Sequence, residues 1–172
     1  MNTFVYGISR AMAWFGGFVL AVIAVLSVAS IAGRALSGIG LGPVPGDFEL
    51  VEAATALAVF CFLPWAHLRR GHATVDLFWN AFAPWLQRVL ETLADALMLV
   101  VWLLLVWRMS IAMGDYRANG EVSFILQVPV WWGYAISMVP AVGGCIVYAW
   151  RVLEDLGLVA APQGLTGPTG TH

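Results

Sequence analysis

Four long, nearly unbroken apolar stretches constrain this chain more than any other feature. They run from about Trp14 to Arg34, Phe48 to Leu68, Val89 to Met113 and Phe124 to Trp150. Each reaches the ~20 residues a helix needs to cross ~30 Å of hydrocarbon. With 61% hydrophobic and only 10% charged residues, the chain has too little polar surface for a soluble domain of its size. Backbone polar groups cannot face lipid unpaired, so the spans must be helices. The sequence predicts an all-α membrane protein: one integral membrane domain over 1–156 with four transmembrane helices, then a disordered cytoplasmic tail over 157–172, rich in Gly, Pro and Thr. The first span is read as a retained helix. Its apolar core, Trp14 to Ile31, exceeds the 7–15 residues of a signal peptide.

Charge is sparse and its placement is informative. All eight basic residues are arginines, and a net charge of −2 argues against a nucleic-acid partner. With four spans, Arg10, Arg69, Arg70, Arg88 and Arg151 share one side with both termini. Arg34, Arg108 and Arg117 lie on the other. The positive-inside rule then places both termini in the cytoplasm. Cys61 and Cys145 sit in separate apolar runs and are read as packing residues.

The densest polar stretch is the turn after the second span, Arg69 to Asp76. Arg69 and Arg70 oppose the negative end of the helix dipole. Gly71 can end that helix in the left-handed conformation. Asp76 can cap the next segment, and His72 lies between. On a helical wheel over 76–88, Phe78, Trp79, Phe82, Trp85 and Leu86 share a sector of about 120°. This predicts an interfacial amphipathic segment between helices two and three. Pro84 would either kink it or start the third helix.

Two further charged groupings stand out. Arg34 ends span one, and Glu49 and Glu52 open span two on a shared face. A clamp between Arg34 and one of these glutamates is expected, because a charge near hydrocarbon needs a partner. Arg88, Glu91 and Asp95 share a face of helix three. Asp95 should therefore face protein, with a partner subunit the natural candidate and helix one or four of this chain the alternative.

The run "FLPWAHLRRGHATVDLF", followed by "APWLQRVLETL", resembles the small membrane subunit of tripartite ATP-independent periplasmic (TRAP) transporters. Gly71, His72, Val75, Asp76, Pro84 and Arg88 occupy the places of that family's turn. "QVPVWWGYAISMVPAVGG" resembles its fourth helix, with Pro129, Trp131, Tyr134 and Pro140 in place. The chain departs from the pattern at Ala35 and Ala73, where an aromatic and a β-branched residue are usual. The resemblance implies a bacterial inner-membrane protein that scaffolds a large multi-span permease. That permease carries out sodium-coupled symport of an organic acid delivered by a periplasmic solute-binding protein. It implies no cofactor, no catalytic residue, no metal and no direct substrate site in this subunit. Besides protein, its partner is membrane lipid. A second reading is a redox-complex anchor with His67 and His72 as haem ligands; these lie five apart at a helix end with no facing histidine.

Overall fold

A computed structural model describes residues 2–69 and 83–159. They form four long helices: α1 (Asn2–Ala35), α2 (Asp47–Leu68), α3 (Pro84–Asn119) and α4 (Trp131–Asp155). All four are long and apolar enough to cross a membrane. The sequence-derived spans thus lie within helices, with two differences. The helix carrying the first span starts at Asn2, twelve residues before the apolar core. The fourth helix starts at Trp131, and Phe124–Val130 is not helical. Gln127 adopts φ 55°, and Ser123 N–H donates to Val128 O at 2.8 Å. Val122 and Pro129 form an isolated antiparallel bridge. That tight hairpin, with proline at its end, keeps the apolar run from joining α4.

The helix ends follow local chemistry. Pro84 is at the first position of α3, where its missing N–H costs nothing. Residues 84–88, assigned from sequence to an interfacial segment, therefore belong to α3 itself. The remainder of that segment lies outside the described residues. Gly120, at φ 65°, closes α3, and its N–H donates to Tyr116 O. Gly157 at φ 71° closes α4; Leu158 N–H reaches Leu153 O at 3.1 Å and Gly157 N–H reaches Glu154 O at 3.0 Å.

The helices pack in the order α1, α2, α4, α3, with a smaller contact between α1 and α4. The fourth helix is thus the hub. Its apolar window is 44% buried, against 6–17% for the other three. Two close approaches hold this order. At Gly16 in α1, an added Cβ would lie 2.9 Å from Cys61 Cβ in α2. At Gly144 in α4, it would lie 2.5 Å from the indole of Trp102 in α3. Membrane helices associate through such small residues because lipid offers no hydrophobic drive.

Trp102 is only 3% exposed. Its N–H donates to Ala141 O at 2.9 Å. Its ring stacks on Tyr148 at 4.7 Å, and Phe60 of α2 meets it edge-on at 5.5 Å. The lone polar atom in the apolar middle of α3 is thereby satisfied. Outward, α3 shows Leu93, Leu97, Val100, Leu104, Trp107 and Ile111. That is a helical stripe suited to lipid or to another membrane protein.

Candidate functional site

The charged side chains collect at the two ends of the bundle. The terminal end carries the start of α1 and the end of α4. The distal end carries the α1–α2 and α3–α4 connections.

At the distal end, Arg34 forms an ion pair with Asp47, the first residue of α2. Ser30 donates its hydroxyl to the same Asp47 oxygen, Oδ2. The other oxygen accepts Phe48 N–H at 3.0 Å. Arg34 also lies 5.0 Å from the centre of the Phe48 ring. The clamp expected from the sequence therefore forms, but with Asp47 rather than Glu49 or Glu52. Asp47 lies one residue outside the apolar span, so hydropathy gives no signal for it. Gly46 at φ 72° places it against Ser30 and Arg34.

Glu49 has a different task. Its carboxylate accepts Ile125 N–H at 2.7 Å and Leu126 N–H at 3.0 Å. It ties the α3–α4 hairpin to the first turn of α2. Glu52 is exposed, one turn further on.

This assignment has a direct test. Asp47→Ala should lower the melting temperature more than Arg34→Ala does, because it removes the acceptor shared by Arg34, Ser30 and Phe48 N–H. Arg34→Ala should cost about 1 kcal/mol, since Arg34 is partly exposed. Exchanging the pair, Arg34→Asp with Asp47→Arg, should recover part of the loss in detergent melting curves. Exchanging Arg34 with Glu49 should recover nothing, because it also releases the hairpin.

At the terminal end lies a buried cluster that ties together all four helices. Arg151 of α4 is its centre. Its Nε lies 3.4 Å from Asp95 Oδ2 of α3. Its terminal nitrogens lie 3.0 Å from Glu154 Oε2 and 3.5 Å from Asp155 Oδ1. His67 Nε2 of α2 lies 3.5 Å from Asp95 Oδ1, and the His67 ring stacks on Tyr148 at 4.2 Å. Tyr6 of α1 lies beside the Arg151 guanidinium. Trp150 N–H donates to Glu154 Oε1 at 3.0 Å. Val5, Tyr6, Leu68, Val147 and Trp150 form an apolar core around it.

Asp95 thus faces into its own chain. Of the two surfaces expected for Asp95, it is not the partner subunit but the alternative, the fourth helix of this chain, that supplies the cation. The physical need was read correctly, because Asp95 lies about 16 Å along α3 from Pro84 and could not face lipid unpaired. What hydropathy hid was Arg151, which follows the drawn end of span four and looked like a solvent-side charge. His67 also has a structural place here, its ring face on Tyr148 and its edge on Asp95.

The other candidates are scattered. Arg69 lies over the Trp65 ring at 5.5 Å. Trp85 and Arg88 are exposed on the first turns of α3, and Leu86 and Glu91 are half-buried. Arg70, Gly71, His72, Asp76, Phe78, Trp79 and Phe82 lie outside the described residues.

Ser9 and Ser27 return their hydroxyls to carbonyls one turn back in α1, Val5 O at 2.7 Å and Ile23 O at 2.8 Å, while Ser30 reaches across to Asp47 of α2. This is the pattern of a membrane protein whose ionic groups fix helix packing. Comparison with known families decides which one. The family model described as tripartite ATP-independent periplasmic transporters, DctQ component, matches residues 23–158.

The chain belongs to this family. It is a small subunit of a TRAP transporter, a permease component and not an enzyme. Neither a curated protein nor a solved structure matches it significantly. The DctQ match covers both charge clusters except Tyr6, and takes in the last third or so of α1, from residue 23, and all of α2, α3 and α4.

Proposed function

We propose that this DctQ-family subunit is a fixed scaffold in the bacterial inner membrane, with both termini in the cytoplasm. It holds a large multi-span permease that moves an organic acid together with sodium. A periplasmic solute-binding protein delivers the acid. The observation that carries this reading is where the charge goes. Arg34, Asp47, Asp95 and Arg151 are each engaged within the chain, and they join one helix to another. A subunit carrying substrate itself would instead set polar groups or interrupted helices near the midplane. Between Ala11 and Ala32 of α1 and between Leu93 and Trp107 of α3 the exposed side chains are apolar, as a membrane-embedded contact surface requires.

The arginine distribution supports the orientation. A reporter active only in the cytoplasm should be active when fused after Asp155 and silent when fused near Asn119. The opposite pattern would overturn the orientation. Purification in mild detergent should bring down a large permease. Repeated isolation of the chain alone from cells that also express the large permease would count against the scaffold reading.

A further inference from the structure

The distal half of the bundle contains a groove bounded by α2, the α3–α4 hairpin and α4, with Met109 as its α3 residue. Ala53, Ala56 and Phe60 line it from α2, Met109 from α3, and Tyr134 from α4. It encloses about 370 Å³. Its lining is mostly apolar, with Glu49 and Glu52 at one end, so it suits an occupant with an apolar body and a polar head.

Its shape limits the occupant. From Glu49 to Phe60 the groove follows α2 for eleven residues, about 16 Å. This is half of the ~30 Å hydrocarbon thickness, the depth of one leaflet. A volume of about 370 Å³ over that length leaves a slot narrower than the ~10–12 Å of a helix with its side chains. An extended hydrocarbon chain fits it; a partner helix does not.

Its mouth limits the headgroup. Glu49 and Glu52 stand at the distal rim, and among the described residues no arginine lines the groove. The Glu49 carboxylate is committed to the hairpin N–H groups. Glu52 is exposed at the headgroup level. A carboxylate there favours a cationic headgroup atom and disfavours an anionic lipid.

We propose that this groove binds one phospholipid of the distal leaflet, with an acyl chain along α2 and its terminal ammonium at Glu52. Phosphatidylethanolamine has the required chemistry; phosphatidylglycerol does not. The lipid fills the space that α2, the α3–α4 hairpin and α4 bound, and so stiffens the distal half of the bundle.

The full chain, reconstituted in nanodiscs of equal phosphatidylethanolamine and phosphatidylglycerol and released into native mass spectrometry, tests this. Wild type should retain one phospholipid, with phosphatidylethanolamine favoured about threefold or more, as one interfacial ion pair allows. Glu52→Lys should reverse the preference. Ala56→Trp should abolish retention by filling the slot. If Ala56→Trp proves too unstable to purify, the Glu52→Lys reversal alone decides. No retained lipid in wild type, equal retention of the two lipids, or unchanged preference in Glu52→Lys would each overturn the proposal. Cross-linking of Ala56→Cys to another membrane protein in intact membranes would also overturn it.

Discussion

Arg151→Met should be the most damaging single substitution in the terminal half of the chain. It leaves Asp95, Glu154 and Asp155 as three carboxylates around a site with no arginine. Their side chains are only 16%, 2% and 10% exposed, so water cannot replace the lost cation. Removing one partner of a buried charge pair costs roughly 3–5 kcal/mol. In detergent that should appear as a fall of roughly 10 °C in melting temperature. Lysine should rescue poorly, because Arg151 meets Asp95 and Asp155 through different nitrogens of a planar fork. The double variant Asp95→Leu with Arg151→Met should cost less than the two single changes added together. A coupling of about 1–3 kcal/mol is expected for residues in direct contact. Purely additive effects would show that the two side chains do not meet.

The second large effect is steric. Gly144→Leu should detach α3 from α4. Even the first carbon of the new side chain would lie 2.5–2.8 Å from three atoms of the Trp102 indole. The ring cannot yield easily, since it is stacked on Tyr148, edge-on to Phe60 and hydrogen-bonded to Ala141 O. Expelling it forfeits the ring packing against Tyr148 and Phe60 and the hydrogen bond to Ala141 O, on the order of 2 kcal/mol. A smaller ring partner should help: Gly144→Leu with Trp102→Ala should melt higher than Gly144→Leu alone. Normal melting of Gly144→Leu would mean that α3 and α4 do not cross at this point.

These two sites show what the sequence made legible. Four spans and an all-helical membrane fold followed from lengths and hydropathy alone, because lipid permits few alternatives. The need to pair Arg34 and Asp95 was also legible, since an ionic group at membrane depth has to be satisfied. The partners were not. Asp47 and Arg151 both lie just past the edges of apolar runs, where a charge looks solvated unless the helix crossings are known. Those crossings depend on which small residues meet which large ones. Gly16 against Cys61 and Gly144 against Trp102 are contacts across 45 and 42 positions of sequence, with no local signal. Glu49 was singled out for its charge but given the wrong role. Its partners are backbone N–H groups of a hairpin some 76 positions away, which no side-chain pattern announces. Pro84 was the reverse case. Proline at a first helical turn is a strong local signal, and the start of α3 follows it.

The scaffold assignment makes a single quantitative demand. Weakening the bundle should reduce the number of assembled complexes, not the work done by each one. The decisive measurement is substrate uptake per assembled complex, with the large permease quantified in the same membranes. It should be made for wild type, Arg34→Ala, Asp47→Ala and Gly144→Ala, a series graded in expected severity. The account predicts that assembly and total uptake fall together and that uptake per complex stays constant across the series. Normal assembly with reduced uptake per complex in any of these variants would contradict it, and would place this subunit within the transport cycle itself.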